Sequence, residues 1–284
     1  MPDEAREQPG RRRMARLAAQ IKAMTAGGGM LDRRAVHSRW LHLTRPTVAL
    51  PGLPAAWDGL RIAHLSDLHV GPICGLEYLR RVVAASNAAA PDLVVLTGDH
   101  VSHWHAVTPD IVELLTALRA PEGKFAVLGN HDYHSGWRRV AEVLEAAGIV
   151  LLNNAHRLLR RGAAALCIAG VDDHRHGRPD ARAALAGVDP AITRVVLCHN
   201  PDYVVQVPAG LRADLFLCGH THGGQIRLPF GPPIVTSTCH RRFAEGLVRN
   251  GHGWVYTSRG TGMAHLPFRL NCRPELPLIT LRRP

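Results

Sequence analysis

A chain of 284 residues, 46% of them hydrophobic, has the material for one large packed domain and is neither disordered nor fibrous. Its formal charge of +11 favours anionic partners such as phosphorylated substrates or acidic lipid, and no run approaches the ~18 apolar residues of a membrane-spanning helix. None of the six cysteines forms a C-x-x-C pair, which argues against a zinc finger or a disulfide framework and for free thiols in a reducing, cytoplasmic setting.

Residues 1–57 read as a basic arm, with ten Lys/Arg against four Asp/Glu. Within it Met14, Leu17, Ala18, Ile21 and Met24 fall at helical spacing, with Arg and Lys opposite. Gly27, Gly28 and Gly29 stop that pattern. Such a helix suits the surface of an anionic membrane. The bland reading is a short packed helix or a tail. Gln20 and Lys22 break the apolar stretch a secretory signal needs.

Residues 58–284 read as an α/β domain. Strands are expected at Leu60–Leu65, Leu93–Thr97, Phe125–Leu128, Arg194–Cys198 and Leu215–Cys218. Helices are expected at Leu76–Ala89, Pro109–Leu118 and Trp137–Ala146. Apolar strands between amphipathic helices indicate a sheet buried on both faces. Farther on, Gln225–Leu228, Leu247–Arg249, Trp254–Thr257 and Leu278–Leu281 have no helices between them. They read as a second, mostly antiparallel sheet. There is no internal repeat.

Each of the five strands runs into a polar cluster: Ser66-Asp67-Leu68-His69, Gly98-Asp99-His100, Gly129-Asn130-His131-Asp132, His199-Asn200, and Gly219-His220-Thr221-His222. Ligands of α/β sheets bind at the carboxyl ends of strands, so five segments aim Asp, Asn and His at one crevice. Imidazole and carboxylate donors suit Mn, Fe, Zn, Co or Ni. The donors are too many for one four-coordinate ion. Two ions sharing a carboxylate fit better, and such pairs are a recurrent phosphoryl-transfer device.

The ordered series D-x-H, GD, GNHD, H and GHTH resembles the calcineurin-like (purple-acid-phosphatase-like) metallophosphoesterases from about Leu60 onward. The stretches GHTHGGQIRLPFG and GVDD…RPD are similar to the bacterial YaeI/YkuE-type branch, whose members include phosphodiesterases. Some relatives cleave UDP-diacylglucosamine, a nucleotide-lipid. The resemblance implies a four-layer α-β-β-α sandwich of two packed mixed sheets flanked by helices. It implies one metal ion on Asp67, His69 and His222, another on Asn130, His199 and His220, and Asp99 bridging both. It further implies attack on phosphorus by hydroxide held between the ions, with His131 protonating the leaving group. Asp132 is expected to orient His131. His100, His174 and Arg178 are candidate substrate contacts. Cys74 lies near the first motif and is expected to be packing.

A phosphodiesterase or pyrophosphatase is the leading expectation, and a phosphomonoesterase on a small molecule or phosphoprotein is the alternative. A non-catalytic scaffold is disfavoured because every motif residue is kept. No specific nucleic-acid partner is indicated.

Overall fold

The computed structural model describes residues 41–103, 107–227, 233 and 236–284. The arm helix expected at Arg11–Met24 lies outside the described residues.

The chain enters through two short strands, β1 (His42–Thr44) and β2 (Thr47–Ala49). Then come β3 (Arg61–Leu65), helix α1 (Leu76–Ala88), β4 (Leu93–Thr97), α2 (Pro109–Thr116) and β5 (Lys124–Val127). A short helix α3 (Asn130–His134) leads into α4 (Trp137–Ala146) and β6 (Val150–Leu151). A hairpin follows, β7 (Ala155–Arg161) and β8 (Ala164–Gly170), then α5 (Ala181–Ala184), β9 (Thr193–Cys198) and β10 (Leu215–Cys218). The last strands are β11 (Gly246–Asn250), β12 (Gly253–Thr257) and β13 (Glu275–Arg282).

Two mixed sheets result. The first runs β1-β13-β3-β4-β5-β6, with β2 also on β13. The second runs β11-β12-β10-β9-β8-β7. Strand periodicity builds the layers. On β4, Leu93 and Val95 join the core between the sheets, together with Val195 and Leu197 of β9 and Leu215 and Leu217 of β10. The alternate residues Val94 and Leu96 face Leu79, Val82, Ile111 and Leu144 of the helices. On the far side, Val196, Phe216 and Cys218 pack against Ala184, Val204 and Phe243. The order is helix, sheet, sheet, helix, with the outer layer over the second sheet thin. Each fully buried Leu, Val or Phe contributes about 1.5–3 kcal/mol.

Three expectations are corrected. The five expected strands do not share one sheet: β3, β4 and β5 lie in the first, β9 and β10 in the second. The C-terminal strands do not form a separate antiparallel sheet either. β13 returns to the first sheet, antiparallel to β3, while β12 is parallel to β10 and only β11 pairs antiparallel with it. The alternation of apolar residues marks which faces are buried, and it does not say which sheet a strand joins. Ile226 and Arg227, expected in a strand, make only isolated bridges to Leu270 and Pro233.

Residues 41–57, read from the sequence as part of the arm, add β1 and β2 to the first sheet, and Trp57 is fully buried. Cys74 sits in the core under α1, and burial pushes its thiol up to about 11. Among the described residues, no helix is long and apolar enough to cross a membrane.

Candidate active site

The carboxyl ends of β3, β4, β5, β9 and β10 deliver seven polar side chains to one place: Asp67, His69, Asp99, Asn130, His199, His220 and His222. Each is at most 7% exposed. The backbone bends sharply to aim them. Asp67, His69, Asp99, His220 and His222 all have left-handed backbones, with φ of 53°, 47°, 53°, 70° and 51°. Non-glycine residues rarely adopt this region, and each instance costs on the order of 1–3 kcal/mol unless the surroundings hold it. Gly219 is required by close approach: a Cβ there would overlap the Ser66 hydroxyl and the Asp67 carboxylate.

The donor atoms fall into two groups that meet at Asp99. In the first, His69 Nε2 is 3.1 Å from His222 Nε2, and His222 Nε2 is 3.4 Å from Asp67 Oδ1. In the second, His199 Nε2 is 3.2 Å from His220 Nδ1 and 3.3 Å from Asn130 Oδ1. Asp99 Oδ2 lies 3.6 Å from His69 Nε2 and 3.3 Å from His199 Nε2. Bonds of ~2.0–2.2 Å to one ion put neighbouring donors about 3.0–3.6 Å apart. Facing imidazole nitrogens at such distances share either a proton or a cation.

The remote ring atoms set the tautomers. His199 Nδ1 donates to Thr97 O at 2.7 Å, which turns Nε2 into the centre. The Ser102 hydroxyl donates to His69 O and accepts from His69 Nδ1, each at 3.2 Å, which frees Nε2 there. The Ser66 hydroxyl and the His220 N–H both donate to Asp67, at 2.6 and 3.1 Å.

Electrostatics agree with a site built for cations. Burial lowers His69 to about 3 and holds His220 and His222 well below the usual imidazole range. Burial raises Asp67 to about 6, against the pull of His199. His199 is the exception. Burial opposes its charge, but Asp99, Asp67 and Asp173 outweigh it and push the ring up to about 10. Burial likewise acts to raise Asp99, yet His199 holds it well below the carboxylate range. Two buried carboxylates in one pocket call for more positive charge than one imidazolium supplies. The donor set, its spacing and its charge fit metal ions.

The other sequence candidates fall around this centre. His131 is half-buried, its ring edge-on to His69 with centroids 4.7 Å apart. Its backbone N–H donates to Asp99 Oδ1 at 2.7 Å. A nitrogen of the His131 ring also lies near donors of His69 and Asp99. The Asp132 carboxylate accepts from Gly129 N at 2.9 Å and from His100 N and Nδ1 at 2.8 Å. Among the described hydrogen bonds it has none to the His131 ring. His100 is 1% exposed, packed behind the centre. His174 and Arg178 lie in the 172–180 loop. His174 Nε2 is 3.3 Å from Gln206, and Arg178 N donates to Asp172 at 2.8 Å. Neither is in the donor groups.

Residues 60–224 match the family model of the calcineurin-like phosphoesterases. The chain belongs to the calcineurin-like phosphoesterase family. The metallophosphoesterase YkuE of Bacillus subtilis is 34% identical over 269 residues, covering 92% of each chain. The phosphodiesterase YaeI of Escherichia coli is 31% identical, covering 95% of this chain and 98% of its own. A transmembrane protein with a metallophosphoesterase domain from Danio rerio is 33% identical over 81% of this chain and 55% of its own length. This phosphoesterase is therefore a phosphoric ester hydrolase, with His/Asp clusters able to hold divalent metal.

Sequence reading missed Ser66, Ser102 and Arg269, which support the donors without being among them. Serine beside a motif is too common to stand out. Arg269, in the apolar context Pro267-Phe268-Arg269-Leu270, carried a signal only as a charge at a position that proves 3% exposed.

Proposed function

We propose that this phosphoesterase hydrolyses a phosphodiester or pyrophosphate bond at a centre of two cations. Asp67, His69 and His222 hold one, and Asn130, His199 and His220 hold the other. The observation that carries the reading is Asp99 Oδ2, placed between His69 Nε2 at 3.6 Å and His199 Nε2 at 3.3 Å, as a bridging carboxylate must be. When bound, such ions activate water as a nucleophile and draw charge from the phosphate oxygens.

The protein groups do the rest. His131 stands at the open edge of the centre, fixed through its backbone to Asp99, and protonates the leaving oxygen. Asp132 supports it indirectly: by binding Gly129 N and His100 N, it ties the 98–101 turn to the start of α3. His174 and Arg178 contact the parts of the substrate beyond the scissile phosphate. The likeness to the phosphodiesterase YaeI favours diesters, and a nucleotide-lipid is one substrate of that kind.

The test uses metal-stripped protein reconstituted separately with Mn, Fe, Co, Ni and Zn. Bis-nitrophenyl phosphate, nitrophenyl phosphate, cyclic nucleotides and UDP-diacylglucosamine are compared. The expected outcome is metal-dependent turnover with kcat/KM higher for diesters. Metal-independent turnover, or a clear monoester preference, overturns it.

The reading extends to place: a cytoplasmic enzyme whose basic Arg11–Met24 segment rests on the anionic inner membrane surface. Co-sedimentation with anionic vesicles, lost in high salt, supports this. Equal binding by a chain beginning near Arg45 removes it.

A further inference from the structure

Arg269 is a buried cation whose hydrogen bonds go mostly to backbone oxygens and, among the described residues, to no carboxylate. A guanidinium taken out of water without a counter-charge is costly. Its donors reach two turns, and Nη1 also reaches Cys272 Sγ at 3.8 Å. Nη1 donates to His222 O at 3.1 Å. Nε donates to Gly262 O at 3.1 Å, and Nη2 to Gly262 O, Arg259 O and Gly260 O at 2.5, 2.8 and 3.2 Å. Nη2 also lies 3.3 Å from His222 Nδ1. One planar group thus fastens the turn carrying His222 to the 259–262 turn.

The 259–262 turn in turn grips Asp67. Gly262 N donates to Asp67 O at 2.8 Å, and Thr261 N and Oγ1 donate to Ser66 O at 2.9 and 3.1 Å. The fit is tight enough that a Cβ on Gly262 would overlap the carbonyls of Asp67 and Leu68. Asp67 and His222 come from different sheets, and both have left-handed backbones. The described bonds of Arg269 reach none of Asn130, His199 or His220.

We propose that Arg269 is the positioning residue of the first donor group, setting the distance between Asp67 and His222 at which they take a divalent cation, while the second group depends on it only through the His220 N–H bond to Asp67 and the shared Asp99. The proposal rests on the reading of Asp67, His69 and His222 as one ion's ligands. Lysine cannot replace the guanidinium, because a single ammonium does not span both turns.

The experiment is Co2+ titration of metal-stripped protein, followed by visible absorbance and calorimetry. Wild type should bind in two steps. Arg269→Gln and Arg269→Lys should weaken one step by about 10- to 100-fold, the usual effect of losing support around a ligand. The other step should stay within about twofold. In a His222→Gln background, which leaves only the second group, adding Arg269→Gln should change nothing. If Arg269→Gln does not fold, Thr261→Val carries the test, since it removes one bond of the same bridge and keeps the charge: the same step must weaken. Unchanged affinity at both steps, or equal weakening of both, overturns the positioning role. Fewer than two equivalents of Co2+ bound by wild type would instead overturn the two-ion reading.

Discussion

The backbone N–H of His131 donates to Asp99 Oδ1 at 2.7 Å, so the proposed proton donor and the proposed bridging carboxylate are held by one hydrogen bond. Asp99 offers its other oxygen to the histidines. The position of the acid is therefore referenced to the point where the two donor groups meet. A change in Asp99 moves both.

Asp99→Asn should lower bound metal and abolish turnover, because a neutral amide bridges two cations poorly. Metal analysis of the purified variant alongside rates on a diester checks it. Two full equivalents of metal with near-normal turnover would remove Asp99 from the bridging role.

His131→Gln separates proton donation from metal binding. General acids of this kind contribute ~10²–10⁴-fold. The variant should keep both metals and lose far more rate on an alkyl ester than on a nitrophenyl ester, whose leaving group needs little protonation. Loss of metal would make His131 a ligand, as its ring lies near His69 and Asp99. Equal loss on both esters, with metal intact, would assign it to charge stabilisation.

Ser102→Ala should weaken metal binding about 10- to 100-fold without unfolding the protein. The hydroxyl accepts from His69 Nδ1 and thereby reserves Nε2 for the centre. Calorimetric affinity close to wild type would show that His69 keeps its tautomer unaided.

His64 provides an acid-sensitive element away from the donors. It is fully buried, with Nε2 2.8 Å from the Thr97 hydroxyl and Nδ1 without a partner among the described residues. Burial lowers it to about 4, against the opposing effect of Glu275. The unfolded chain protonates near pH 6.5 while the folded chain resists to about 4. The stability due to neutral His64 is complete above pH 6.5 and is lost as pH falls towards 4. From pH 7 to 5 the loss is about 2 kcal/mol. Urea unfolding of metal-stripped wild type and His64→Gln should show a flatter pH dependence in the variant. Parallel profiles would contradict it.

The seven donors were readable because each follows an apolar strand in a short motif, and strand ends share a crevice whichever sheet they belong to. That also explains why assigning five strands to one sheet did no harm to the site. Pairing was not readable. The return of β13 beside β3 depends on hydrogen bonds made over more than two hundred residues of chain, and apolar alternation is blind to partner. The partners of Asp132 were not readable for a related reason. Adjacency to His131 suggested a contact with that ring, whereas the turn of α3 points the carboxylate back to Gly129 and His100. Arg269 was invisible because its partners are backbone carbonyls, which any sequence supplies.

Each donor group draws on both sheets: Asp67 and His69 from the first meet His222 from the second, and Asn130 from the first meets His199 and His220 from the second. Neither half of the sandwich has a complete donor group alone. If these groups hold ions as proposed, each ion would be a rivet through the inter-sheet seam, and a chain with one sheet undocked would lose both. On the proposed reading, turnover reports the docking of the two sheets, read at the rim of the seam and not in either sheet.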